Sequence, residues 1–144
     1  MRVQDLLRSP EPVVSLAPGA TALEAAKRMV ECEQGSVLVA EDDKLLGIFT
    51  ERDLMVRVIA KELDPATTRL DSVMSSEVFV TTTDRQVTEL RRALRERHIR
   101  HVPVVDENGK VQAVLSVRDL LRADLIETRT AKREMEDYIR GEGA

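Results

Sequence analysis

The chain contains the same short segment twice. Residues 47–54 read GIFTERDL and residues 113–120 read AVLSVRDL, so that each position of the second copy follows its partner by 66 residues. Each copy places an apolar run before Thr or Ser, two further residues and Asp. A unit of this size buries too little apolar surface alone and must pack on its twin. The repetition therefore predicts one module of two related halves, with related sites around a pseudo-twofold axis.

The hydrophobic pattern predicts the same five elements in each half, in the order strand, helix, strand, strand, helix. In the first half these are residues 13–15, a helix capped by Thr21, residues 37–40, 45–50 and 51–61. In the second half they are residues 78–80, 87–97, 102–105, 111–116 and a helix from residue 117. Residues 106–109 (DENG) are typical of a tight hairpin turn. Pro103 has no N–H to donate, so we expect it at a sheet edge or a strand start.

These elements divide the chain into four parts. They are a first repeat at residues 1–62, a linker at 63–68, a second repeat at 69–124 and a helical tail at 125–144. The helical pattern runs from Val117 to about Arg140 with an interrupted apolar stripe. Two interpretations of this helix remain open: it covers its own domain, or it binds a second copy or a partner.

Composition restricts the class of protein. Apolar residues make up 42% and charged residues 33% of the chain, which excludes a disordered chain. The single cysteine, the lack of a signal segment and the lack of a run of about 20 apolar residues lead us to expect a cytoplasmic protein outside the membrane. The net charge of −4 argues against a nucleic-acid binder. The chain has no phosphate-binding loop, nucleophile elbow or zinc-ligand spacing, so we do not expect an enzyme.

The twin segments, together with the HVPVVD strand at residues 101–106, resemble a tandem pair of cystathionine-β-synthase (CBS) domains, also called a Bateman module. The resemblance extends from Val3 to about Leu121. It implies an α/β (α+β) fold of two pseudo-symmetric β-α-β-β-α repeats packed sheet to sheet, here with an extended C-terminal helix. It also implies a non-catalytic regulatory module that binds AMP, ADP or ATP between the repeats, with S-adenosylmethionine or NAD as further possibilities. Such modules commonly form homodimers and act on a partner, which is unknown here.

The same resemblance assigns roles to the repeated Thr/Ser and Asp. Asp53 and Asp119 match the position that binds ribose, and Thr50 and Ser116 match the hydroxyl that contacts sugar or phosphate. A carboxylate can accept hydrogen bonds from both vicinal hydroxyls of a ribose, and such charge-assisted bonds are strong. The alternative is a helix-capping box, which needs no ligand.

Phosphate binding is expected to differ between the halves. Arg100 and His101 stand where the family often places basic residues, whereas the matching residues 35–36 are Gly and Ser. We therefore expect one strong nucleotide site and one weaker or nucleoside-like site. The alternative is that Arg100 and His101 are exposed cations near a helix C-terminus. The arginines of helix 87–97 are expected on a solvated face.

Four further residues complete the candidate ligand-binding set: Gly47, Pro103, Ala113 and Arg118. Gly47 would let a ligand approach the backbone, and Ala113 departs from that pattern in the second half. Arg118 could reach a phosphate or pair within its own helix. The alternative function is a ligand-free dimerisation or interaction module that presents its C-terminal helix.

Overall fold

The computed structural model describes residues 1–7 and 13–141, and it contains two three-stranded sheets, one from each half. The first sheet has the order β1 (Ser15–Leu16), β2 (Ser36–Glu41), β3 (Lys44–Thr50). The second has the order β4 (Thr81–Thr82), β5 (His101–Val105), β6 (Val111–Ser116). In both sheets the first two strands are parallel and the last two antiparallel. The two repeats predicted from the sequence are confirmed.

Four of the described helices follow the predicted order, and a fifth, at Leu70–Val73, was not predicted. The helices are α1 (Ala22–Cys32), α2 (Glu51–Asp53), α3 (Leu70–Val73), α4 (Val87–Arg97) and α5 (Val117–Ile139), with a 3₁₀ turn at Val3–Leu6. α2 continues directly into a π-helical turn at Leu54–Ile59, which the sequence pattern did not predict. The first strand of each half begins later than expected: β1 shares Ser15 with the predicted range 13–15, whereas β4 begins at Thr81, so the predicted strand at 78–80 was wrong. Over the described ranges, no helix combines the length and hydropathy needed to cross a bilayer.

Local signals fix the ends of these elements. Thr21 caps α1 as predicted, because its hydroxyl accepts the Glu24 N–H at 3.2 Å and the Glu24 carboxylate accepts the Thr21 N–H at 3.1 Å. The predicted hairpin turn is also present, since the Gly109 N–H donates to the Asp106 carbonyl at 3.0 Å. Gly109 has a φ of 79°, a conformation that glycine adopts without strain.

Pro103 lies inside β5, the central strand of its sheet, so the expected edge or strand-start position was wrong. It pairs with Val114 of β6, while β4 pairs with β5 from Val104 onward. At the matching position of the first sheet, Leu38 donates its N–H to the Val14 carbonyl at 2.8 Å. Because β4 has two residues and begins opposite Val104, no strand partner needs the N–H that Pro103 lacks.

The short segments that open each half are exchanged between the two cores. Val3 is fully buried in the second core, and its N–H donates to the Arg85 carbonyl at 2.8 Å. In return, Leu70 is fully buried in the first core and donates to the Ala20 carbonyl at 2.8 Å. Each half thus completes the other's core. The boundaries at residues 62 and 69 stay a prediction from the sequence, and core packing crosses them in both directions.

The first two turns of α5 supply its buried residues. Leu120 and Ala123 are buried in the second core, and Asp124 forms an ion pair with Arg91 of α4. Farther along the helix the apolar side chains are exposed, including Leu125, Ile126, Met135, Tyr138 and Ile139. Ile126 still lines a cavity between the halves and Glu127 forms an ion pair with the Met1 amine at 3.3 Å, so the helix contacts the rest of the molecule as far as Glu127 and is exposed beyond it. Residues 142–144 of the predicted tail lie outside the described residues.

Gly47 lets the second half of the chain pass close to the edge of β3. A Cβ atom at this position would lie 2.5 Å from the Met74 sulfur and 2.8 Å from the Ser75 carbonyl oxygen. The neighbouring Ile48 exchanges two backbone hydrogen bonds with Ser75, at 2.9 and 3.0 Å. The space beside this glycine is thus filled by the chain itself. The matching residue of the second half, Ala113, carries a side chain.

We expect Gly47→Ala to lower the free energy of unfolding by about 1–3 kcal/mol, because Met74 and the Ser75 backbone must both move to admit a methyl group. Urea unfolding followed by circular dichroism would measure it. The matched control is Ala113→Gly, which should cost no more than about 1 kcal/mol. Equal unfolding midpoints for Gly47→Ala and the wild type would contradict the steric argument.

Candidate functional site

The repeated Thr/Ser and Asp residues form two capping boxes. In the first half, Thr50 Oγ1 accepts the Asp53 N–H at 3.1 Å and Asp53 Oδ2 accepts the Thr50 N–H at 3.0 Å. In the second half, Asp119 Oδ2 accepts the Ser116 N–H at 2.7 Å, and the Ser116 hydroxyl pairs with the same aspartate. The capping interpretation is therefore correct for this structure. Each box uses one carboxylate oxygen for the cap and leaves Oδ1 to other partners.

A cavity of about 1030 Å³ lies between the halves beside the first capping box, and we call it the Asp53 cleft. The first half lines it with Ile48, Thr50, Glu51, Arg52, Asp53, Val56 and Arg57. The second half lines it with Ser75, Glu77, Val78, Phe79, Val80, Arg97, His98, Ile99, Arg100 and His101. Thr50 and Asp53 of one repeat thus line the same cavity as Arg100 and His101 of the other. The sequence indicated both pairs but not that they meet.

Cations outnumber carboxylates in this cleft. Its charged lining consists of Arg52, Arg57, Arg97 and Arg100 against Glu51, Asp53 and Glu77, with two histidines in addition. Guanidinium groups bind phosphate through paired, charge-assisted hydrogen bonds. The arrangement can hold a polar, hydroxyl-bearing group at Asp53 and an anion at the arginines.

The cleft also contains residues that the sequence interpretation missed. The Arg97 guanidinium lies over the Phe79 ring, 4.4 Å from its centroid, and both line the wall. Arg97 is therefore not part of a purely solvated helix face, and Arg91 is also engaged, through its ion pair with Asp124. Phe79 could have been singled out in the sequence, because the chain has only two phenylalanines.

His101 lies between the two halves at the start of β5. Its Nε2 would be 3.0 Å from a Cβ at Gly35, so its ring packs against the first half. Burial lowers the pKa of His101, an effect that the nearby Glu51 and Asp119 carboxylates oppose and that Arg100 reinforces. His101 is therefore neutral at neutral pH in the absence of a bound anion.

A smaller cavity of about 260 Å³ adjoins the second capping box, and we call it the Asp119 cleft. Its lining from the first half includes Asp5, Leu6, Leu7, Val13, Val14, Gln34 and Ser36. From the second half come Ala113, Val114, Leu115, Asp119, Arg122, Ala123 and Ile126. Among these described lining residues, Arg122 is the one arginine, and it faces two aspartates. Both clefts thus have walls from both halves of the chain, but arginines outnumber carboxylates in the Asp53 cleft and carboxylates outnumber arginines among the described residues of the Asp119 cleft.

The remaining predicted residues fall into different places. Arg118 lines a groove of about 810 Å³ between the clefts, together with Arg100, His101, Ser116 and Asp119. Pro103 is buried within β5, and Gly47 packs against Met74 and Ser75. Neither is among the residues that line the three described cavities. Their roles in ligand binding remain predictions.

The fold has well-matched relatives among solved structures. A putative signal-transduction protein with CBS domains from Burkholderia ambifaria superposes with a TM-score of 0.84 at 26% identity, covering 88% of this chain and 95% of the other. A CBS domain protein from Pyrobaculum aerophilum, solved in complex with AMP, gives a TM-score of 0.76 at 31% identity, covering 90% of this chain and 99% of the other.

Sequence relatives agree with this match. An uncharacterized protein of Methanopyrus kandleri is 32% identical over 127 residues, which is 88% of this chain and 65% of that protein. A CBS domain-containing protein of Arabidopsis thaliana is 37% identical over 105 residues, which is 73% of this chain and 19% of that protein. The chain thus spans less than two thirds of these relatives. The CBS domain itself matches twice, at residues 3–60 and 70–126. The chain therefore belongs to the CBS domain family and carries two copies of the domain in tandem.

Proposed function

We propose that this chain is a non-catalytic regulatory module that binds an adenosine-containing ligand, of the AMP, ADP or ATP class, in the Asp53 cleft. The observation that carries the proposal is the meeting of Thr50 and Asp53 from one repeat with Arg100 and His101 from the other. The carboxylate would accept the ribose hydroxyls, and the cations would bind the phosphates. The relative solved with AMP supports this ligand class for a CBS pair.

The Asp119 cleft would take a ligand of lower negative charge. Its aspartates, Asp5 and Asp119, outnumber its single described arginine, Arg122, which disfavours a phosphate and suits a nucleoside or a cationic adenosyl compound such as S-adenosylmethionine. NAD, with both phosphate and nucleoside parts, is a further ligand to test in either cleft. The proposed module therefore has one nucleotide site and one nucleoside-like site.

Signalling would follow from the way the clefts are built. Each cleft has walls from both repeats, so a ligand that bridges them favours one relative setting of the repeats. Such a shift can be no larger than the difference in the ligand's affinity for the two settings, typically about 1–3 kcal/mol. The receiver would be a partner protein or a second copy of the chain.

The exposed apolar residues favour a second candidate function, a dimerisation or interaction module. Met55 and Ile59 of the first repeat and Leu121 and Leu125 of α5 are all more than half exposed. Where exposed apolar side chains form a contiguous patch, the patch often marks a site of protein association. This candidate and the ligand sensor are compatible, because a homodimer can transmit the state of its clefts.

Removal of α5 beyond Thr128 should leave ligand affinity unchanged and weaken association with a partner or a second copy. The cut keeps Leu120 and Ala123 in the core and preserves the ion pair of Asp124 with Arg91. Analytical ultracentrifugation and calorimetry would measure the two properties. Loss of the folded state on truncation would contradict an output role for this part of the helix.

Asp53→Ala should weaken AMP binding by roughly 1.5–3 kcal/mol, the scale of a hydrogen bond to a charged group. Binding is first established by thermal unfolding with AMP, ADP, ATP, adenosine, NAD, S-adenosylmethionine and GTP. A ligand at 100 times its Kd adds about 2.7 kcal/mol to the stability of the native state. No shift with any adenine compound at millimolar concentration would contradict the proposed function.

Asp119→Ala is the matched control for this experiment. It removes the equivalent capping box, and so the same roughly 1 kcal/mol of helix stabilisation, from the second repeat. AMP should still bind the Asp53 cleft with an affinity near that of the wild type. Equal loss of AMP affinity in both variants would show that the two clefts do not differ as proposed.

AMP affinity should rise as the pH falls from about 7.5 to about 5.5, and it should rise more in the wild type than in the His101→Gln variant. In the free protein, burial lowers the pKa of His101, against the nearby Glu51 and Asp119 and together with Arg100, so protonation begins below its ordinary value of 6.5. A bound phosphate favours the charged form and raises the pKa, so binding takes up a proton. Affinity rises as the pH falls through the pKa of the bound state and levels off below that of the free state, with a total gain of about tenfold for each unit of the rise. Calorimetry at several pH values would measure this.

The His101→Gln variant serves as the control, because the titration of the phosphate itself, with a second pKa of about 6, affects the variant and the wild type alike. Parallel pH profiles for the variant and the wild type would show that His101 does not contact the anion.

A further inference from the structure

Arg57 contacts both the Asp53 carboxylate and the backbone of the segment that leads into the second repeat. Its Nε lies 3.6 Å from Asp53 Oδ1, and its Nη1 donates to the Met74 carbonyl at 2.9 Å and to the Val73 carbonyl at 3.2 Å. The Asp53 side chain is only 14% exposed, whereas that of Arg57 is 46% exposed. One side chain thus connects the carboxylate of the first repeat with the chain that enters the second.

The segment that Arg57 holds leads directly into the opposite wall of the cleft. Ser75 follows Met74 and exchanges two backbone hydrogen bonds with Ile48 of β3. Residues 77–80 come next and line the cleft across from Asp53. The position of this wall therefore depends on how the chain at Val73 and Met74 is fixed to the first repeat.

The geometry that aims Arg57 is confined to the first repeat. The helix widens into a π turn here, with the Ala60 N–H donating to the Met55 carbonyl at 2.8 Å, five residues back. Single π turns within helices are frequent at functional sites. The matching helix of the second repeat is regular, and Ala123 stands there in place of Arg57 and is buried in the core.

The two aspartates are consequently held in different ways. Asp53 has Oδ2 fixed by the Thr50 N–H and Oδ1 beside the Arg57 guanidinium. Asp119 receives the N–H and the hydroxyl of Ser116 on the same oxygen, Oδ2. Asp53 is thus held by both its helix cap and an arginine, whereas the hydrogen bonds described for the Asp119 side chain are made with Ser116.

We propose that Arg57 is a positioning residue for the Asp53 cleft: it orients the Asp53 carboxylate and tethers the facing wall at Val73 and Met74, so that the two walls stand at a distance suited to a nucleoside. This inference rests on the proposed function, because it concerns the same site. A group that acts in this way affects every ligand that uses Asp53, whether or not the ligand carries phosphate. A direct phosphate contact would instead discriminate between AMP and adenosine.

The first test needs no ligand. Hydrogen exchange of the free protein should be at least about tenfold faster at the Ser75 amide in Arg57→Ala than in the wild type, because the tether next to it is lost. Arg57→Lys, which retains a charged donor, should recover part of this protection. Arg52→Ala is the matched control, since Arg52 lines the same cleft. It should leave exchange at Ser75 unchanged.

The second test is calorimetry with adenosine and AMP in proteins that also carry Asp119→Ala, so that a nucleoside bound in the Asp119 cleft does not contribute to the signal. Arg57→Ala should weaken both by a similar factor, about 5- to 20-fold, as misplacement of a binding group does. Loss of AMP affinity alone would make Arg57 a phosphate ligand and overturn the positioning role. Unchanged exchange at Ser75 in Arg57→Ala would overturn that role while leaving the proposed function intact. Failure of the wild type to bind either ligand would overturn the proposed function and the positioning role together.

Discussion

The exchange of short opening segments between the repeats is the interaction on which the rest of the structure depends. Each repeat supplies three strands and a crossover helix, and this set leaves apolar surface uncovered that the segment from the other repeat must cover. Val3 completes the second core, while Leu70 and Val73 complete the first. The hydrophobic effect thus holds the two repeats together through these exchanged segments. Neither core can form fully without both halves.

The same exchange builds the clefts. A chain that crosses from one core to the other must pass the edge of a sheet, and residues 73–80 do so beside β3 before they reach β4. Gly47 admits this passage, the Ile48–Ser75 bridge fixes it, and Arg57 secures the carbonyls just before it. As a result the wall opposite Asp53 belongs to the second repeat. A ligand bound there would contact both repeats at once, which is the geometric requirement for sensing through their relative position.

The repeated Asp caps a helix with one carboxylate oxygen, which leaves the other oxygen for the proposed ligand site. Capping of α2 and α5 uses Oδ2 of Asp53 and Asp119, and this holds each carboxylate at the mouth of its cleft. The cap and the candidate ligand site are therefore not competing interpretations, because one oxygen can remain on the backbone while the other faces the cavity. What separates the clefts is their surroundings. Arginines are in excess in the Asp53 cleft, whereas the described lining of the Asp119 cleft has two aspartates and one arginine, and Arg100 and Arg118 lie in the neighbouring groove.

By itself the sequence determined the two repeats, their element order, the capping residues and the hairpin turn at residues 106–109. These follow from local rules, since periodicity, cap chemistry and turn residues act within a few positions of the chain. It also indicated Thr50, Asp53, Arg100 and His101 as candidate site residues. Their meeting in one cleft was decided by the tertiary structure, because it depends on segments far apart in the chain. The position of Pro103 inside a central strand likewise depends on the shortness of β4. The contacts of Arg57 depend on a π turn that no local sequence pattern indicated. Side-chain convergence across a repeat boundary is set by packing, and packing is a property of the folded whole.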